Sequence, residues 1–301
     1  MEPYDFIILT DNNFIKPPTS ATQTGWQEDT ILAEALRRKG FTVGRKSWSD
    51  PEFDWSHTRA AIFRTTWDYF DRFDEWKNWL KMVSSKTQLI NEAELVNWNM
   101  DKHYLGELQE HGINVPETRY IEIGEKTSLT LLHEETGWTD TILKPCIAGS
   151  ARHTYRLNPE NLREHEDQFQ ELIRTEAMML QPFQHNILTR GEISLMVIGG
   201  VCTHAVIKTA KAGDFRVQDD FGGTVSLYEP NAEEMAFAEK AVAACNSLPV
   251  YARVDIIRDN QDQLALIEIE LIEPELWFRL KPEAADTLAD FLAGSLSPVN
   301  N

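Results

Sequence analysis

The chain has 301 residues, 42% of them hydrophobic, and a formal net charge of -19 at neutral pH. That length suits two or three subdomains built around sizeable cores. The acidic balance argues against tracking a nucleic-acid backbone or docking on an anionic membrane, both of which need clustered Lys and Arg, so the expected partner is a small molecule. Phosphate binding stays open, since it needs positive charge only locally. The start, MEPYDFIILTDNN, lacks a basic leader, and no apolar stretch reaches bilayer-spanning length, so a soluble, cytoplasmic protein is expected. Cys146, Cys202 and Cys245 are isolated and read as small buried hydrophobes. The histidines show no metal-ligand spacing.

In chain order, YDFIILT is an apolar run that predicts a buried strand, and WQEDTILAEALRRKG predicts an amphipathic helix ended by Gly40. FTVGRKSW and RAAIFRTTW read as strands, and DRFDEWKNWLKMVSSK as a helix with Phe73, Trp76, Trp79 and Leu80 on one face. This alternation predicts a parallel α/β layer to about Asn91. LINEAELVNWNMDKHYLGELQEHG reads as helices closing at Gly112, and Pro116 opens the strand ETRYIEI. From TDTILKPCIAGS onward the pattern is α+β, with strands at EAMMLQPF, EISLMVIGG, VCTHAVIKTA, YARVDII and LALIEIEL and a helix at NAEEMAFAEKAVAACN. The expected units are 1–91, an N-terminal substrate-side α/β domain; 92–185, central helices and a first subdomain; and 186–295, a second subdomain carrying a hairpin.

That hairpin holds the strongest chemical signal. YARVDII and LALIEIEL are joined by the polar turn RDNQDQ, and a turn centred between Gln261 and Asp262 sets Asp255 opposite Glu268. Strand alternation places Leu266, Glu268 and Glu270 on one face and Ile267, Ile269 and Leu271 on the other. An isolated E-x-E is ordinarily a solvated face, but three converging carboxylates repel one another, and a hard divalent cation relieves that repulsion. Magnesium is the expected ion, with manganese the alternative, and magnesium commonly accompanies phosphates.

Neither a P-loop nor a dinucleotide-binding glycine motif is present. The chain offers instead Lys144 at a strand end, followed by the small residues Ala148, Gly149, Ser150 and Ala151, whose backbone N–H groups can approach phosphate oxygens. Lys102 adds a second cation. In MLQPFQH the backbone from Leu180 to Phe183 can read a purine edge. Arg216 lies between Gly213 and the pair Gly222-Gly223, either as part of a loop over a phosphate or in a surface salt bridge with Asp214 or Asp219.

Taken in order, these motifs resemble the ATP-grasp superfamily, the ligases related to bacterial glutathione synthetase. GDFRVQDDFGG is similar to that group's GDFR-x-N…GG segment, and EIELIEP stands where its members carry E-[IV]-N. FRTTWDYFDRFDEW, LINEAELVNWNMDKHYL and ELIEPELWF are most similar to a branch that includes a cyclo-ligase of cycloserine biosynthesis. The resemblance implies an ATP-grasp fold behind an N-terminal parallel α/β domain. It implies that Lys102 and Lys144 hold ATP phosphates, that Gln181, Pro182 and Phe183 line the adenine cleft, and that Glu192 takes the ribose hydroxyls. Asp255, Glu268 and Glu270 would hold two magnesium ions, and Arg216 and Lys208 would stabilise the transferred phosphoryl group. Glu270 and Gln218 depart from the usual Asn at their positions, and both retain an oxygen ligand.

The implied reaction is ATP-dependent joining of a carboxylate to an amine through an acyl phosphate, with release of ADP and phosphate. Intramolecular ring closure, or nucleotide binding without turnover, are the alternatives. Arg64, with Trp67 and Asp68, is the candidate grip for substrate, because a guanidinium seats a carboxylate with two hydrogen bonds, while Trp67 also suits packing against the next helix. Arg253 is a further candidate, counted with Arg216 and Lys208 among the catalytic residues. Homo-oligomerisation stays open.

Overall fold

Phe6, Ile7, Ile8 and Leu9 form an uninterrupted buried run in β1 (Tyr4–Thr10). A strand without a polar face must be covered on both sides. The computed structural model, which describes residues 3–149, 151–211 and 222–296, supplies both covers. Strands β2 (Val43–Ser47), β3 (Thr58–Thr65) and β4 (Gln88–Ile90) join β1 in a parallel sheet of order β2-β1-β3-β4. Phe6 and Ile8 pack with the helices Gln23–Arg38 and Glu283–Ser295. Ile7 and Leu9 point the other way, into an aromatic cluster of Trp48, Trp55, Phe63, Trp76 and Trp79 that includes one face of the helix Phe73–Val83. There Trp48 meets Trp76 edge-on, with centroids 5.2 Å apart, the arrangement that ring quadrupoles favour.

The second sheet is antiparallel, with β5 (Arg119–Ile121), β6 (Thr141–Pro145), β7 (Tyr155–Leu157) and β8 (Met178–Pro182) in the order β5-β8-β6-β7. The helices Leu129–Thr136 and Leu162–Leu172 close its core. In the third sheet, β9 (Glu192–Ile198), β10 (Val201–Thr209), β11 (Thr224–Tyr228), β12 (Tyr251–Arg258) and β13 (Leu264–Glu270) are antiparallel in the order β11-β10-β9-β12-β13. The helix Ala232–Ala243 covers it, started by a capping box in which Asn231 and Glu234 satisfy each other's backbone N–H. No helix among the described residues is long and apolar enough to cross a membrane.

The parallel N-terminal layer and the antiparallel remainder match the sequence pattern. Strands β4, β7 and β11 and the helices Leu129–Thr136, Leu162–Leu172 and Glu283–Ser295 do not appear in that reading. Leu89 and Ile90 fall in the stretch that the sequence pattern reads as helical, yet they pair with Ala61 and Ile62. A three-residue strand carries too little periodicity to be read, and its tertiary partner decides its state.

Candidate active site

The β12–β13 hairpin places Asp255 directly opposite Glu268 and Arg253 opposite Glu270. One carboxylate oxygen from each of Asp255, Glu268 and Glu270 lies within 4.8 Å of the others, so the expected acid cluster is assembled. The pairing arises through a bulge: Ile256 faces Leu266 while Asp255 faces Glu268, so Ile267 is an extra residue in β13. The bulge corrects the expected alternation. Leu266 is fully buried with Ile269 and Leu271, whereas Ile267 lines the cavity beside Glu268 and Glu270.

Cations neutralise most of this charge. The Arg253 Nε is 3.0 Å from both oxygens of Asp255, its Nη2 is 2.8 Å from Oδ2, and Nη2 also bonds Glu270. Ser194 Oγ donates to Asp255 Oδ1 at 2.5 Å. Burial alone would raise Asp255, but Arg253, Lys208 and the Ser194 hydroxyl hold its carboxyl down to about 2. Glu270 goes the other way: burial, with Glu268 and Asp255 adding to it, outweighs Arg253 and pushes it up to about 7. Lys208 Nζ bonds Glu192 Oε1 at 2.7 Å and stands 3.5 Å from Asp255. Three oxygen donors of this kind suit a hard divalent cation, and the Arg253 guanidinium pairs with two of the three acids.

Lys102 reaches Glu268 Oε1 at 3.0 Å and donates to the Ala148 carbonyl at 2.7 Å. Although burial opposes it, Glu268 holds the Lys102 ammonium above its ordinary value. The ammonium of Lys144, on β6, has no hydrogen bond or ion pair among the described residues, and burial depresses it despite the nearby Glu268. Both lysines line a cavity of about 350 Å³ shared with Asp255, Glu268 and Glu270. Gln181, Pro182 and Phe183 also form part of its wall, together with Ile142, Ile187 and Ile257. Two polar groups of this wall have internal partners: the Phe183 N–H donates to the Asp140 carbonyl at 2.8 Å and Gln184 donates to the Pro182 carbonyl at 2.9 Å. Glu192, also on the cavity, is already engaged by Lys208.

Gly149 closes one side. A β-carbon there would come within 2.7 Å of the Phe70 ring, so only glycine lets this loop touch the N-terminal layer so closely. Ser150, Arg216 and Gln218 lie outside the described residues. Of the residues expected to grip substrate, Trp67 lines the cavity and its Nε1 donates to the Glu273 carbonyl at 3.2 Å. Arg64 and Asp68 do not line it. Asp68 accepts from Trp48 Nε1 and Arg72. Arg64 is 2% exposed, with Nε 3.8 Å from Asp29 Oδ1 and its guanidinium beside the rings of Tyr251 and Phe278. A fully buried carboxylate on the helix Gln23–Arg38 draws this arginine inward. Burial pushes Asp29 up to about 6 against the pull of Arg45 and Arg64.

The sequence reading missed Phe70, Glu273, Glu275 and Trp277, all on the cavity wall. Glu273 and Glu275 lie beyond the end of β13, where strand alternation carries no information. The recurrence of glutamate at 268, 270, 273 and 275 in EIELIEPEL is the available signal. A second group, Asp101, His103 and Cys146, is also compact, but His103 is engaged by Asp101 and Glu122, and burial pushes the Cys146 thiol up to about 12.

Cations, clustered acids and apolar side chains line one nucleotide-sized cavity, and similarity to known proteins decides its family. The sequence profile of the RimK-like ATP-grasp domain matches residues 103–274, more than half of the chain. The chain belongs to the RimK-like ATP-grasp family. Residues 7–91 match a second profile, the N-terminal domain of D-cycloserine synthetase DcsG. The cycloserine biosynthesis protein DcsG of Streptomyces lavendulae is 29% identical over 287 residues, covering 89% of this chain and 93% of the relative. A crystal structure of D-cycloserine synthetase DcsG superposes with a TM-score of 0.85 at 26% identity, over 97% of this chain and 99% of that one. D-alanine–D-alanine ligase from Bacillus anthracis shares the fold, with a TM-score of 0.66 at 14% identity over 97% and 96%. This ATP-grasp protein is an ATP-dependent ligase that forms C–N bonds.

Proposed function

We propose that the enzyme activates the carboxylate of a small amino-acid-like substrate with ATP and closes a ring onto a nitrogen of the same molecule, as its relatives named for cycloserine suggest. The observation that carries the choice of ring closure is the match of residues 7–91 to the DcsG N-terminal domain, because this layer contributes Trp67 and Phe70 to the cavity wall. In this reading residues 1–91 form the substrate side, and 92–185 and 186–295 the two halves that enclose the nucleotide.

Lys102 and Lys144 hold the ATP phosphates. Lys144 has a depressed, unpartnered ammonium for which a phosphate is the natural counter-ion. Gln181, Pro182 and Phe183 pack the adenine, and Glu192 faces the ribose. Asp255, Glu268 and Glu270 take magnesium, which neutralises phosphate charge when bound. The substrate carboxylate attacks the γ-phosphorus, ADP leaves, and the substrate nitrogen then displaces phosphate from the acyl phosphate. Arg253 and Lys208, with Arg216, supply fixed positive charge where negative charge develops, so the protein acts by positioning and electrostatics rather than through a covalent nucleophile. The Ala148–Gly149 turn against Phe70 keeps water from the acyl phosphate.

The test is phosphate release across a set of amino acids, dipeptides, ureido acids and aminooxy acids, followed by mass spectrometry of the product. A cyclised product from a single substrate supports the proposal. An amide joining two molecules would leave the ligase chemistry standing and remove the ring closure.

A further inference from the structure

Among the described residues six acids line the cavity: Glu192, Asp255, Glu268, Glu270, Glu273 and Glu275. Five of them have a cation. Lys208 pairs with Glu192, Arg253 with Asp255 and Glu270, Lys102 with Glu268, and Arg279 with Glu275. Glu273 alone has a carboxylate with no cation and no partner from another residue among the described residues; its own backbone N–H is its one hydrogen-bond donor there. A half-buried carboxylate without a cation is costly, and such groups are ordinarily paired. The metal cluster does not supply it, since the compact oxygen set comprises Asp255, Glu268 and Glu270 without Glu273.

The surroundings define the missing partner. Glu273 is fixed from the N-terminal layer by the Trp67 indole, which donates to its backbone carbonyl. Trp67, Phe70 and Trp277 provide aromatic walls to the same cavity. Carboxylate and aromatic faces together favour a compact cation that can donate hydrogen bonds, which describes a primary ammonium group. The nucleotide offers no such group, whereas an amino acid does.

We propose that Glu273 seats the primary ammonium group of the substrate, so that the enzyme selects a free amino group on the molecule whose carboxylate it activates. The inference rests on the cyclising reading above and adds the recognition of that amino group. It makes Glu273 a specificity-determining residue, separate from the phosphate and metal sites.

The test is calorimetry at neutral pH with magnesium and ADP present, comparing D-cycloserine with its amino-free ring, isoxazolidin-3-one. Wild-type protein should prefer the amino compound by at least about tenfold, as expected for a partly desolvated charge pair. Glu273→Gln should bring the two rings within about twofold of each other while ADP affinity stays unchanged. Preference for the amino compound persisting in Glu273→Gln would overturn the assignment and leave the cyclising reading intact. Loss of magnesium-dependent ADP binding in the variant would also overturn it, placing Glu273 with the metal ligands. Wild-type protein that binds neither ring would contradict the cyclising reading and the Glu273 contact together.

Discussion

Asp255 and Glu268 face each other across the β12–β13 ladder because Ile267 is an extra residue in β13. Without that bulge the register set by Arg258 and Leu264 would place Ile267 opposite Asp255, and the acid cluster would lose a member. Glu268 also holds Lys102, so it joins the acid cluster to the cationic end of the cavity. Glu268→Gln should therefore lower kcat by about 10²–10³-fold, the scale for losing one preorganised electrostatic group. Glu270→Asn, which removes a charge but keeps an oxygen ligand, should retain activity within about tenfold. Equal losses in steady-state assays of the two variants would mean that Glu270 has a role beyond ligation.

The two lysines should respond in opposite ways to truncation. Lys144→Met removes an unpartnered, partly buried ammonium, so ATP affinity should fall at least about tenfold while the melting temperature of the ligand-free protein rises. Lys102→Met leaves the Glu268 carboxylate without its cation, and should cost about 1–3 kcal/mol of stability as well as ATP affinity. Thermal melts and ATP calorimetry on both variants check the pair. A destabilised Lys144→Met would place a partner on Lys144 that the described residues lack.

The acid cluster also predicts a pH dependence. Burial raises Glu270 to about 7 and Glu273 to about 8 in the folded chain, against ordinary values near 4.5. Between these limits the folded state holds more protons than the unfolded one, so these groups make stability fall as pH rises from about 4.5 through 8. Magnesium with ADP favours the charged form of Glu270, so its stabilising shift in melting temperature should be larger at pH 8 than at pH 6. A Glu270→Gln, Glu273→Gln double variant should flatten the ligand-free profile. Melts of wild type and double variant with the same slope would show that other groups set it.

Gly149 gives a steric prediction. Gly149→Val introduces atoms where the Phe70 ring already stands 2.7 Å from a β-carbon position, so the loop must shift. Turnover should fall about tenfold or more, and Phe70→Ala in the same chain should restore part of it, the coupling expected of residues in contact. Additive losses in kcat/KM would mean that the glycine is needed for its backbone alone.

Much of this site was legible in the sequence, for uneven reasons. The acids of YARVDII and LALIEIEL were readable because a hairpin with a short polar turn leaves few registers. The predicted pairing of Asp255 with Glu268 emerges from a turn and a bulge together, and the alternation rule consequently misplaced Leu266 and Ile267. Lys102 and Lys144 lie 42 positions apart in the chain, and only the ordered set of motifs put them on one cavity. Arg64 shows the opposite limit. A strand-end arginine reads as a ligand donor, and nothing local announces that Asp29, 35 positions earlier, is buried within 4 Å of it. Glu273 and Glu275 follow the last strand residue, where no periodicity says which way a side chain turns.

The central claim is that the substrate carboxylate, activated as an acyl phosphate, passes one oxygen to the phosphate released. It is tested most directly by supplying a turned-over substrate labelled with ¹⁸O in its carboxylate, together with ATP and magnesium, and following the products by ³¹P NMR. The predicted result is ADP and inorganic phosphate carrying one ¹⁸O atom, with no turnover when magnesium is omitted. Label in AMP with release of pyrophosphate, or unlabelled phosphate accompanying product formation, would contradict the account.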